Sequence, residues 1–117
     1  MRPGRDELGE QLAGWGKVIR LTTRGRVSGG PVEVAVGYVE EPDGSLLVAA
    51  GSPDADWARN LDAEPSGRVE LGDREWSVVA EPLDGTTAQR AVRELIIKYG
   101  TPAERLGRGP AFRLRER

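Results

Sequence analysis

The chain has 117 residues, Lys+Arg 17 against Asp+Glu 19, and neither histidine nor cysteine. One domain with one core fits in that length, and a net charge of −2 supplies no overall positive field for nucleic acid or an anionic bilayer. The missing histidines and cysteines remove thiol nucleophiles, disulfides, His- or Cys-ligated haem, Cys/His zinc sites and Ser-His-Asp triads, so any catalysis must borrow a cofactor's chemistry.

Residues 1–16 form an N-terminal segment whose stretch 6–14 reads as a short helix, weakened by Gly9 and Gly14. The segment leads into no apolar h-region, and no apolar run is long enough to span a bilayer. The expectation is a cytoplasmic protein without membrane or nucleic-acid partners. Residues 17–117 read as a single domain. Residues 17–23, rich in β-branched side chains, predict a first strand, and 31–39 predict a second with Val32, Val34, Val36 and Tyr38 on one face.

Between those strands stand Arg24-Gly25-Arg26-Val27-Ser28-Gly29-Gly30. Glycine lets the backbone approach a ligand, successive N–H groups form a concave nest, and guanidinium forks add paired charged donors. This turn therefore suits an anion, with Arg26 as the foremost ligand residue. The plainer reading is a glycine-rich hairpin whose arginines keep it soluble and whose Ser28 is a turn former.

Pro42-Asp43-Gly44 is turn chemistry, and 45–50 predict a third strand in a hairpin with the second, buried on both faces. A short helix over 55–62 follows, capped by Asp54 or Asp56, with Trp57, Ala58 and Leu61 facing inward. Residues 68–71 and 75–80 form a second hairpin around Gly72-Asp73. The longest helix spans 86–99 behind a Thr86/Thr87 cap, and 110–114 make the last strand. Six strands, mostly in antiparallel hairpins with two or three helices, imply a mostly β, α+β domain built as a small barrel or curled sheet.

The blocks Leu-Thr-Thr-Arg-Gly-Arg-Val-Ser-Gly-Gly-Pro at 21–31, Leu-Val-Ala-Ala at 47–50, Trp57-Ala58-Arg59-Asn60-Leu61 with Glu64-Pro65, and Val69-Glu70-Leu71-Gly72 occur in that order. In order and spacing they resemble the deazaflavin-dependent nitroreductase family over roughly residues 17–114. The resemblance implies a six-stranded antiparallel split β-barrel, FMN-binding-like. It also implies use of coenzyme F-420, whose reduced form gives a hydride to a nitro compound, quinone or activated alkene. Arg24, Arg26, Val27 and Ser28 would lie by the cofactor's phosphate and tail, and Val32, Val34, Ala35, Val36 and Gly37 would pass under its rings. Ala49, Ala50, Gly51 and Ser52 would supply backbone donors, with Asp56, Trp57, Ala58, Arg59 and Asn60 closing the far side. Tyr99 matches a family tyrosine that positions substrate or donates a proton. Split barrels of this kind often pair, which implies a homodimer with the sites at or near the interface.

The chain departs from the family pattern where members commonly carry a lysine at Val27, a basic residue near Gly30 or Val32, and a lysine at Ser52. Each lost charge-assisted contact is worth about 1.5–3 kcal/mol toward a polyanionic tail. An FMN-dependent reductase, whose single phosphate needs only Arg24, Arg26 and Ser28, is the alternative within the fold. A non-catalytic carrier of a flavin, deazaflavin or hydrophobic ligand is the alternative outside catalysis. Periodicity alone reads Trp57 and Tyr99 as core residues and Asn60 as a cap.

Overall fold

The β-branched run after Lys17 and the apolar alternation after Pro31 pair with each other in the computed structural model, which describes residues 17–100, 106 and 108–117. They form an antiparallel hairpin of β1 (Ile19–Arg24) and β2 (Pro31–Val36). Along β1 the side chains alternate strictly. Ile19, Leu21 and Thr23 are buried, while Arg20, Thr22 and Arg24 take the opposite face, as a period of two requires. The expected N-terminal helix over 6–14 lies outside the described residues.

The strand expected over 31–39 is two strands. β2 ends at Val36, and β3 (Val39–Glu40) pairs with β4 (Leu46–Ala49) instead of with β1. Gly37 and Tyr38 make the corner, and the ring of Tyr99 enforces it. A Cβ at Gly37 would stand 2.9 Å from Tyr99 Cε2, and the Tyr99 hydroxyl takes the Tyr38 N–H at 3.1 Å. Hence the expected hairpin between the second and third strands exists only at Val39–Glu40, and the strand number rises from six to seven.

β5 (Ser66–Leu71) and β6 (Arg74–Pro82) form the second hairpin around Gly72, whose φ of 62° suits glycine. β7 (Ala111–Glu116) then inserts between β6 and β4. The antiparallel sheet runs β2-β1-β5-β6-β7-β4-β3. Its two edges, β2 and β3, are joined by two residues, so Val36 and Val39 lie at most about 11 Å apart and the sheet must curl into a barrel.

The barrel interior holds Ile19, Leu21, Leu46, Val48, Val69, Val78, Phe112 and Leu114, all 2% exposed or less. Helix α1 (Asp56–Ala63) joins this core through Trp57, Ala58 and Leu61, with the Trp57 and Phe112 ring centroids 6.2 Å apart. Truncating Phe112 to alanine would cost about 3–5 kcal/mol. Helix α2 (Gly85–Tyr99) packs outside the barrel, where Ala91 and Leu95 are buried and Leu95 meets Ala49 and Ala111. β4 is thus buried on both faces, as its unbroken apolar run implies.

Both helix caps differ from expectation. α1 starts after Ala55 with no side-chain cap, because Asp56 sits in the first turn and its carboxylate is engaged elsewhere. α2 is capped by Asp84, whose carboxylate accepts the Thr87 N–H at 2.8 Å, instead of by Thr86 or Thr87. No helix among the described residues is long and apolar enough to cross a membrane.

Candidate functional site

The glycine-rich turn closes on itself. Gly25 N–H donates to the Gly30 carbonyl at 2.8 Å, Gly29 N–H to the Gly25 carbonyl at 2.8 Å, and Gly30 N–H to Ser28 Oγ at 3.2 Å. Gly29 holds a φ of 77°, a left-handed conformation that disfavours any side chain. The three glycine N–H groups are therefore spent inside the loop. Val27 and Ser28 remain at its exposed tip as backbone donors, with Val27 93% exposed.

Arg26 fastens this loop to α1. Its backbone N–H and Nη1 both donate to Asn60 Oδ1, at 3.2 and 2.7 Å, while Nη1 also reaches the Asp56 carbonyl at 3.3 Å. Its Nη2 meets the Asp56 carboxylate at 3.0 Å. Asn60 is 2% exposed and passes its own Nδ2 proton to Thr23 Oγ1 at 3.1 Å. Sequence reading took Arg26 as the loop's foremost anion ligand, whereas the structure commits its guanidinium to α1. Asp56 and Thr23 complete the clasp, and of these two only Thr23 was not singled out by the sequence.

Arg24, like Arg59 on α1, is a cation that stays open among the described residues. It is exposed and has no hydrogen-bond or ion-pair partner among the described residues. It borders a cleft of 370 Å³ on the outer face of the sheet, on the side of the loop formed by Gly29 and Gly30.

Gly51 and Ser52 lead into α1 at the clasped end. Ser52 Oγ accepts the Asp54 N–H at 3.1 Å and its carbonyl accepts the Ala55 N–H at 3.2 Å, which leaves the Gly51 and Ser52 N–H groups without a partner among the described residues. Ala49 lies in the β4–β7 ladder, and Ala50 gives its N–H to the Pro110 carbonyl at 2.9 Å. Both alanines are buried, as are Trp57 and Ala58, which face the core. Arg59 is exposed on α1. Val32, Val34, Ala35 and Val36 are half-buried along the edge strand, where Val34 and Val36 rest on the core.

Tyr99 belongs to a different corner. Its hydroxyl donates to the Lys17 carbonyl at 2.7 Å, and its ring covers Gly37. Burial pushes its ionisation above the usual phenol value, and likewise that of neighbouring Tyr38. The Lys98 ammonium stands 3.4 Å from the Tyr38 ring centroid and donates to the Tyr38 carbonyl at 2.9 Å, while burial lowers its pKa. Lys17 precedes β1 and Arg26 follows it. At about 3.4 Å per residue, the length of β1 alone separates the Tyr99 corner from the clasped loop by about 17 Å.

A curled antiparallel sheet with a helix entering its core is the split β-barrel of flavin-binding-like proteins. The family model of F420H2-dependent quinone reductases matches residues 1–108, and the chain belongs to that family. Among solved structures it is similar to an F420-H2-dependent reductase, FDR-A, at 24% identity and a TM-score of 0.69, over 84% of this chain and 93% of that one. The heme storage protein HutZ of Vibrio cholerae matches at 18% identity and a TM-score of 0.71, over 92% and 87%. A chain described as a domain-swapped dimer matches at 24% identity and a TM-score of 0.70, over 92% and 94%. No curated protein matches the sequence.

Proposed function

We propose that this chain is an oxidoreductase that holds reduced coenzyme F-420 and delivers its hydride to a quinone, with nitro compounds and activated alkenes as acceptors of the same kind. The observation that carries the reading is the clasp of Arg26 on Asn60 and Asp56. It fixes an anion-suited loop beside the Gly51-Ser52 approach to α1. Family membership supplies the cofactor class.

The residues present fit an anionic cofactor sparingly. Arg24 is an open guanidinium, and the Val27 and Ser28 N–H groups with the Ser28 hydroxyl add donors at the loop tip. When bound, the reduced cofactor supplies a hydride. The chain supplies placement and shielding from water. In this reading the apolar edge from Val32 to Gly37 is the bed for the rings, and the Gly51 and Ser52 N–H groups polarise the acceptor. Solvent supplies the proton that follows, because the Tyr99 proton is committed to the Lys17 carbonyl. A homodimer with the site near its interface is part of the same proposal, and sedimentation velocity tests it. Haem is a weaker ligand candidate despite the HutZ likeness, since the chain has no histidine or cysteine for an axial bond.

The test is an anaerobic titration with reduced coenzyme F-420 followed by addition of a naphthoquinone. Saturable binding and reoxidation faster than the protein-free rate are expected. Binding without turnover would make the protein a carrier, binding of FMN alone would make it an FMN-dependent reductase, and binding of neither would overturn the reading.

A further inference from the structure

The outer face of the sheet carries a polar surface of which the proposed reaction uses only Arg24. Outward positions recur every second residue, so Thr22 and Arg24 on β1, Ser66 and Arg68 on β5, and Ser77 on β6 share one face. Register aligns them further: Thr22 is the partner of Arg68, and Arg68 is the partner of Ser77. The chain returns to the same place after β7, where the Arg117 N–H donates to the Ser77 carbonyl at 3.0 Å.

The result is a cleft of 370 Å³ with a floor of small hydroxyl side chains and three long cationic walls, Arg24, Arg68 and Arg117. Arg117 Nη1 donates to Ser66 Oγ at 3.0 Å, which aims that guanidinium across the floor. Arg68 is held by the Glu75 carboxylate at 2.8 Å through Nε and Nη2. Glu75 pairs with Arg68, and Glu33, the register partner of Thr22, shares the face, but none of the side chains lining the cleft is acidic. Three like charges converging on hydroxyl donors match a compact ligand with several negative oxygens.

We propose that this cleft binds a compact polyanion bearing phosphate or carboxylate groups. Arg24 is shared with the proposed cofactor site, but Arg68, Arg117, Ser66 and Ser77 are additional, and the cleft does not depend on the redox reading. The anion is either the charged end of a larger bound molecule or a free small polyanion. Both present the same chemistry to the arginines.

The experiment is calorimetric titration of the full chain with inorganic pyrophosphate at low ionic strength. Saturable one-to-one binding is expected, weakened about tenfold by Arg117→Gln and further by Arg68→Gln on top of it. Arg93→Gln, which removes an equal charge from the exposed face of α2, is expected to leave binding unchanged. Displacement of pyrophosphate by coenzyme F-420 would identify the ligand as that molecule's anionic end, and independent binding of the two would identify a free polyanion. Either result supports the site. Absence of saturable binding, or an equal loss in the Arg93 and Arg117 variants, overturns it. Pyrophosphate binding without any cofactor binding would retire only the oxidoreductase reading.

Discussion

Asn60→Ala separates the two interactions that hold the glycine loop on α1. The Asn60 amide accepts from the Arg26 N–H and Nη1 and donates to Thr23 Oγ1, and it is 2% exposed. Its removal strands the Thr23 hydroxyl, itself 2% exposed, whereas the N–H of Arg26, an exposed residue, turns to water. A stranded buried polar group costs about 1–3 kcal/mol. The Arg26 guanidinium, 27% exposed, recovers water and adds little. In a chain of this size that loss lowers Tm by roughly 10 °C. Asp56→Ala removes only an ion pair whose carboxylate is 80% exposed, worth less than about 1 kcal/mol and screened by salt. Thermal melts by circular dichroism rank the two variants, and amide exchange at Arg26 and Gly29 reports whether the loop has been released. If Asn60→Ala melts within about 2 °C of the native protein, or Asp56→Ala is the more damaging, the buried amide is not what holds the loop.

Tyr99→Phe deletes the hydroxyl that bridges Lys17 and Tyr38, so stability falls by about 1–2 kcal/mol while kcat stays within about twofold of native. A tenfold drop in kcat at unchanged Tm would instead give Tyr99 the role of proton donor. Gly37→Ala places a methyl group against the Tyr99 ring and costs about 1–3 kcal/mol in chemical denaturation; a neutral result would mean that the ring does not sit on the corner. The Ser45 hydroxyl and N–H, followed by Arg115, bring the Asp43 carboxyl down from 3.8 to about 2. Because the folded value lies below the unfolded one, this contribution to stability is complete above about pH 4 and lost as pH falls toward about 2. A carbon-detected titration reads the shift, and Ser45→Ala should return Asp43 toward its ordinary value. Titration near the ordinary value in the native protein would contradict the hydrogen bonds.

Local patterns carried most of the fold. The period-two runs on either side of Gly25–Gly30, the Gly72 turn and the helical spacing from Ala88 to Tyr99 each depend on neighbours in sequence. What escaped depends on partners far along the chain. The break at Gly37 is imposed by the ring of Tyr99, 62 positions later, and a uniform apolar run carries no mark of it. The capping role went to Asp84 because a carboxylate one residue ahead of the helix outcompetes threonines already inside it. In the candidate site, sequence singled out the loop, Arg26 and Asn60, but the contacts of Arg26 with Asn60 and Asp56 were not legible, because they exist only after α1 packs on β1. The arginine-walled cleft was invisible for the same reason: Arg68 reaches Thr22 through a β1–β5 pairing that spans some 46 positions.

The central claim is that the clasped loop receives the anionic end of coenzyme F-420. Backbone amide chemical shifts recorded during titration with that cofactor test it most directly. The account predicts saturating changes at Arg24, Val27 and Ser28, accompanied by changes at Gly51 and Ser52. Saturable binding that leaves those amides unmoved would contradict it.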